Sequence, residues 1–441
     1  MTAAAGGPDT AGPDTGGLII TDTPQQPGEP ALRWSSRAHS IDDIERELAR
    51  IWSIPRPTNI IAGVEERHVA ARTSVMNLVV VARRPEIGEH AAAVIQQLIG
   101  KLPSRTLILT SADPESRSWL DAQIQAYCVL PRADAAETCA EQIFITAGGA
   151  AGRHLEAIVA PLLIHDLPVT LWWPGEPPFA TQPARDLLAM ADRLVVDASS
   201  WSGDGLHRLR ELSTAMDRYG FTVSDFALVR QSRWREAIAS AFDLEEFTPF
   251  LTSIKRIAVT YGTRDETGAP GTTNVVKPVY HVAWLASRLG MTVARTLAPA
   301  EGSAAAARAA AKIAARPGGR PGVKPPLHRG LVGQLRSGRS EVAVVVRPVG
   351  SSMPAGTTLR VEILAERRGS ELRADVTAEA ETVHVRVWQD GVEALERRFR
   401  APRLTEVDLL ASAIEAGGRD LVAPGALRAA AALAGPRGTR G

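Results

Sequence analysis

Hydrophobic positions along the chain fall into two kinds of text. From Ser40 the run SIDDIERELARIW sets Ile44, Leu48, Ile51 and Trp52 on one helical face, with Ser40 as N-cap and Asp42 and Asp43 in the first turn. The apolar stretch Val75–Ala82 predicts a buried strand, EIGEHAAAVIQQLIGKL a helix, and Ser104–Ser111 the next strand. DAQIQAYCVL alternates and predicts a half-buried strand making an antiparallel excursion, and EQIFITA reads as a further strand. A helix from about Ala151 to His165, a strand at Pro168–Trp173, a helix at Pro183–Ala191, the strand RLVVDAS and a helix across Leu206–Tyr219 follow. Ser232–Asp243 closes this half, with Ser232 as N-cap and Trp234, Ile238 and Phe242 at helical spacing. Strands that alternate with helices predict an α/β layer on a mostly parallel sheet.

The second kind begins after Phe247. SIKRIAVTYG reads as a strand and KPVYHVAWLASRLG as a helix, with Pro278 in its first turn and Gly290 beyond its end. An alanine-rich helix is expected at about Ala304–Ala315, then a basic Pro/Gly-rich loop over Arg316–Gly330. EVAVVVRPV, TLRVEILAER, SELRADVTAE and TVHVRVWQDG then alternate with period two, which predicts an antiparallel meander, and EVDLLASAIEAG returns as a helix. The expected organisation is a disordered tail over residues 1–39, an α/β domain over 40–247 and a C-terminal α+β domain over 248–441. The tail reading rests on the repeated Gly-Pro-Asp-Thr text, which has too few apolar groups to offset its ordering entropy.

Composition narrows the function classes. Fifty basic residues against 49 acidic ones leave a formal charge of +1, so no global field draws the chain to nucleic acid or anionic lipid. No apolar run approaches the length of about 18 residues that a membrane span needs, and the N-terminus lacks a signal peptide's basic and apolar regions. Two cysteines, Cys128 and Cys139, form no CxxC; they are expected to be reduced, buried small hydrophobes in a cytoplasmic protein.

Motifs for catalysis are missing. There is no Walker loop, nucleophile elbow or HExxH, and the nine histidines are scattered, so neither a catalytic set nor a metal or cofactor site is expected. One turn, AGGAAG at Ala147–Gly152, follows a strand and opens a helix; Gly148, Gly149 and Gly152 there fit either a tight turn or an anion cradle for a sugar phosphate or nucleotide. The basic run Arg316, Arg320, Lys324 and Arg329 has no interleaved aromatics and reads as a solvated linker. Trp172 and Trp173 are adjacent, so on a strand they point to opposite faces. One enters the core; the other meets a second layer, a ligand or a partner. Pro174, Glu176, Pro177 and Pro178 follow as a stiffened loop that loses little entropy on docking, and Arg233, Trp234 and Arg235 supply further residue types favoured at interfaces.

Several stretches together resemble the OpcA family, the glucose-6-phosphate dehydrogenase assembly proteins of actinobacteria and cyanobacteria. They are LPSRTLILT at Leu102–Thr110, CAEQIFITAGG at Cys139–Gly149, APLLIHDLPVTLWWPGEPP at Ala160–Pro178, RWREAIASAFD at Arg233–Asp243 and HVAWLASRLGM at His281–Met291. The resemblance implies a non-enzymatic partner that binds glucose-6-phosphate dehydrogenase, promotes its active oligomer and so supports the oxidative pentose phosphate pathway and NADPH supply. Trp172, Trp173, the proline loop and the Arg233–Arg235 segment, singled out above by residue type, are the expected interface for such a partner. Redox control, linked to thioredoxin in cyanobacterial relatives, is not carried over to a chain with two cysteines and no CxxC.

Overall fold

A computed structural model describes residues 17–18, 28–53, 59–61, 64–66, 74–129, 138–263, 273–300, 330–416 and 422–435. The expected alanine-rich helix, residues 316–329 of the basic loop and most of the N-terminal tail lie outside them. The fold is α/β, and the chain divides into two compact units: Met1–Pro174 with Ala180–Asp192, and Gly175–Phe179 with Arg193–Gly441.

The first unit contains β1 (Gly17–Leu18), β2 (Pro30–Ala38), α1 (Ile41–Ser53), β3 (Asn59–Ile61), β4 (Val64–Glu66), β5 (Met76–Ala82), α2 (Pro85–Gln96), β6 (Ser104–Ser111), β7 (Trp119–Val129), β8 (Thr138–Gly148), α3 (Gly149–Arg153), α4 (Leu155–Leu162), β9 (Val169–Trp173) and α5 (Gln182–Ala189). Its main sheet runs β1-β2-β7-β8-β6-β5-β9. β8, β6, β5 and β9 are parallel, and β7 makes the expected antiparallel excursion between β8 and β2. Every residue of β5 is buried, as a parallel strand covered on both faces requires. The tail boundary is corrected: Pro30–Ala38 is strand β2, paired with β7, and Gly17–Leu18 adds to it as β1. Trp34, 3% exposed, anchors β2 and caps the indole N–H with Ser36.

Charge is also buried in this sheet. Arg105 on β6 bonds Glu141 on β8 at 2.6 Å, Arg105 also donates to Leu162 O at 2.9 Å, and Trp52 donates to Glu141 at 2.5 Å. A second correction concerns the cysteines. Cys128 and Cys139 stand directly opposite in the β7–β8 ladder and are joined as a disulfide. Burial was expected and both are 0% exposed, but they are not two independent reduced thiols.

The second unit contains β10 (Arg193–Val196), α6 (Leu206–Tyr219), β11 (Thr222–Asp225), α7 (Phe226–Val229), α8 (Ser232–Ser240), β12 (Ile254–Thr263), α9 (Val276–Arg288), β13 (Thr292–Pro299), β14 (Leu331–Ser337), β15 (Ser340–Gly350), β16 (Thr358–Arg367), β17 (Ser370–Glu379), β18 (Thr382–Gln389), β19 (Val392–Arg400), α10 (Glu406–Glu415) and α11 (Val422–Ala434). The division expected at Phe247 falls instead near Asp192. The physical reason is a set of bonds to the C-terminal helices: Arg193 and Ser224 donate to Ala413 O, and Arg428 pairs with Asp217.

The large sheet of this unit runs β13-β14-β15-β12-β16-β17-β18-β19. The meander is therefore interrupted. β12 inserts between β15 and β16, parallel to the first and antiparallel to the second. Its apolar face, with Val361, Ile363, Val376 and Val385 at 1% exposure or less, is buried. Arg397, on that same side by register with Val385, donates to Ser240 O at the end of α8.

Candidate functional site

The structure places the proline loop differently from a free, outward strap. Trp172 is 1% exposed and Trp173 7%, so both are covered, as neighbouring residues on a strand buried on two faces must be. Of the loop, Pro177 is buried, Pro174 and Glu176 are half-buried and Pro178 is exposed. Trp201 donates its indole N–H to Gly175 O at 3.1 Å, the Ser202 N–H donates to the Glu176 carboxylate, and Arg208 lies 3.5 Å from it. Burial pushes the Glu176 carboxyl up, but the Ser202 bonds and the nearby Arg208 and His207 outweigh it and hold the group below its usual range. The loop is fastened at both its carbonyl and its carboxylate.

Arg233, Trp234 and Arg235 lie on the first turn of α8. Arg233 is exposed and pairs with Glu236 at 2.7 Å, whereas Arg235 turns inward to Leu228 O at 2.6 Å. Trp234 packs its ring 5.2 Å from His281. His281 is fully buried with both ring nitrogens unpartnered among the described residues, and burial with the nearby Arg235 pushes it down to about 3.

The glycine turn is filled by the protein itself. Gly149 N–H donates to Asp113 O at 3.0 Å, and Ala151 N–H to Ser118 Oγ at 3.2 Å. A Cβ at Gly149, where φ is +59°, would sit 2.5 Å from Ser116 O, and one at Gly152 2.5 Å from Ala147 O. The helix it opens, α3, has five residues, and the expected long helix breaks at His154 before α4. The glycines admit residues 113–119 against the turn, which leaves these two amides engaged rather than aimed at an anion.

No motif announced the polar cluster where β10 and β11 end. Asp225 accepts from Tyr280 Oη at 2.7 Å, from Ala198 N at 3.0 Å and from Ala227 N at 2.8 Å. Burial first, then the negative Asp197, push Asp225 up to about 7 against these bonds. Asp197 pairs with Arg230 at 2.8 Å and caps the following turn through Ser199. Burial, together with Arg230, lowers Lys277, and burial with Asp225 raises Tyr280 well above its ordinary value. Asp225 is 2% exposed and Tyr280 1%, so the acid joins β11, the turn after β10 and α9 out of reach of a substrate. Residues 55 positions apart in sequence carry no joint signal; only the Asp at a strand end before an apolar turn, a favoured N-cap, was available to find it.

Among the described residues no group of three or more His, Cys, Asp or Glu could hold a metal ion, and no helix is long and apolar enough to cross a membrane.

Comparison with known proteins places this geometry. Residues 78–213 match the model of the glucose-6-phosphate dehydrogenase subunit N-terminal domain, and residues 221–423 that of the corresponding C-terminal domain. Two relatives carry the name OxPP cycle protein OpcA. The one from Nostoc punctiforme is 28% identical over 46% of this chain and 43% of its own length. The one from Synechocystis is 26% identical over 42% of this chain and 37% of its own. The chain thus matches less than half the length of these curated relatives. Among solved structures, a mutant of Gal80p from Saccharomyces cerevisiae is 12% identical, with a TM-score of 0.43 over 81% of this chain and 94% of that one. An aldose-aldose oxidoreductase from Caulobacter crescentus is 10% identical, with a TM-score of 0.39 over 80% and 94%. Likenesses at that level carry no argument about activity. The two family models follow one another in order along the chain, and it belongs to the OpcA family of glucose-6-phosphate dehydrogenase subunits.

Proposed function

We propose that this chain is a non-catalytic cytoplasmic partner of glucose-6-phosphate dehydrogenase, which binds the enzyme and promotes its active oligomer. It thereby supports flux into the oxidative pentose phosphate pathway and the supply of NADPH. The observation that carries this reading is the consecutive match of both dehydrogenase-subunit models, one after the other. Two features of the site support the non-catalytic half. The strongly shifted acid, Asp225, is sealed from solvent, and the glycine turn spends its Gly149 and Ala151 amides on the protein. The second observation also weighs against a sugar-phosphate or nucleotide sensor at Gly148–Gly152. Within the interface first expected, Pro178 and Arg233 are the members with exposed side chains. Trp172 and Trp173 are buried, and Glu176 is held by Ser202 and Arg208.

The test is an activity titration. The purified chain alone is expected to leave glucose 6-phosphate and NADP unreacted. Added to the dehydrogenase of the same organism, it is expected to raise turnover and shift the enzyme to a larger sedimenting species. Turnover by the chain alone, or a dehydrogenase indifferent to saturating amounts of it, would overturn the proposal.

A further inference from the structure

The eight-stranded sheet of the second unit has two faces of opposite character. By alternation and register, Val361, Ala374 and Val385 lie on the buried side, while Glu362, Asp375 and Arg386 stand in one row on the other. On this second face the central acids are already answered. Glu362 accepts from Arg256 at 2.6 Å and from Arg360 at 2.9 Å. Asp375 takes a two-pronged bond from Arg360, 2.6 Å on each prong. Glu396 is 2.8 Å from His384 and 3.5 Å from Arg398.

Two guanidiniums in this lattice are not answered. Arg373 stacks on Trp388 at 4.3 Å and Arg386 at 5.4 Å, and all three are half-buried. Neither arginine hydrogen-bonds or pairs with a carboxylate among the described residues, and Arg373 Nε is buried without a partner. Glu393, opposite Trp388 on β19, is exposed and pairs with neither. Leu364 sits beside Arg373 by register and is half-buried, an apolar floor to the same spot. The stacking fixes both planes of donors in advance, so little rotamer freedom is left to lose when an acceptor arrives. Arginine and tryptophan are also the side chains that carry most energy at protein interfaces.

We propose that Arg373, Trp388 and Arg386 form the docking point for a carboxylate-bearing surface of the dehydrogenase, a placement that rests on the function proposed above. The chemistry selects the partner. Uncommitted, planar, preorganised guanidiniums match a carboxylate in two-pronged fashion, and the neighbouring acids are neutralised within the sheet and do not repel it. The ion pairs around the trio hold it in place without consuming its donors.

The test measures binding of the full chain to the dehydrogenase, with melting temperature recorded for each variant. The parent is expected to bind, more weakly as NaCl is raised from about 0.05 to about 0.5 M. Arg373→Glu with Arg386→Glu is expected to raise Kd roughly thirtyfold or more, since like charges then face each other. Arg373→Gln with Arg386→Gln, which leaves no buried anion and keeps the fold, is expected to raise Kd about fivefold at the parental melting temperature. If both double variants bind like the parent, the docking point is elsewhere. If they bind like the parent but lose self-association in sedimentation, the face belongs to a second copy of this chain, and the proposal is equally overturned. A parent that does not bind the dehydrogenase defeats the underlying function, an outcome visible before any variant is made.

Discussion

The sheet of the first unit and the eight-stranded sheet of the second answer the same problem in different ways. β5 reads as a nearly unbroken apolar run and β6 is apolar at its centre, Leu107–Leu109, and seven of the eight residues of β6 and all of β5 are buried. Charge enters there as a sealed pair, Arg105 with Glu141, at 9% and 0% side-chain exposure. β16 to β18 instead alternate. Their buried side is aliphatic, and their other side is a lattice of arginines and acids in which Arg360 keeps 34% of its side chain exposed. A sheet covered on both faces can store charge only in closed pairs. A sheet with one wetter face can leave donors uncommitted, and that is where the proposed docking point lies.

The largest effect expected from this contrast is Arg105→Ala, which strands a buried carboxylate on Glu141 and should cost about 3–5 kcal/mol by chemical denaturation. A loss under about 1 kcal/mol would mean that water reaches the pair. Reducing Cys128–Cys139, or replacing both with Ser, should cost about 3 kcal/mol by the loop-closure argument, because the loop spans 11 residues of sequence. An unchanged melting temperature in reductant would show that the bond does not form in solution.

Two buried groups of the second unit should pull the pH dependence of stability in opposite directions. Asp225 is raised from 3.8 to about 7, so the folded chain keeps a proton that the unfolded chain releases. Its contribution is greatest below about pH 4 and is lost as pH rises toward 7. His281 is lowered from 6.5 to about 3, so the unfolded chain takes up a proton that the folded chain refuses. Its contribution is full above about pH 6.5 and is lost as pH falls. Asp225→Asn should therefore make stability rise more steeply with pH between about 4 and 6.5 than in the parent, by up to a few kcal/mol across the window, and His281→Gln should make it rise less. Unfolding curves of both variants with the parent's slope would remove these groups from the account. The smallest effect expected is that of Arg360→Ala on the wetter face, about 1–2 kcal/mol, because Arg360 is itself a third exposed and Glu362 keeps Arg256 as a second partner.

How much of this was legible depended on range. Apolar runs and helical spacing are local, so β5, β6 and α6 lie where the pattern put them, α6 with the same ends, Leu206 and Tyr219. β2 was lost because PALRWSSRA offers few large apolar residues and follows a tail whose large apolar residues are nearly confined to Leu18–Ile20. β12 was read as a strand, but its insertion into the meander was not, because that insertion pairs residues about 90 apart, such as Val259 with Val346. Strand context identified the turn at Gly148–Gly152, but not that residues 113–119 fill it. The cysteine pair was within reach: taking β7 and β8 as one hairpin sets Cys128 opposite Cys139. Trp388 between two arginines was not, since only cross-strand register makes Arg373 its neighbour.

The most direct measurement is hydroxyl-radical footprinting of the chain with and without glucose-6-phosphate dehydrogenase. It compares Trp388 on the wetter face with Trp119, which is 41% exposed on β7 and serves as the internal reference. Bound dehydrogenase is expected to suppress oxidation of Trp388 and to leave Trp119 at its free rate. Protection of Trp119 with Trp388 unchanged would contradict it.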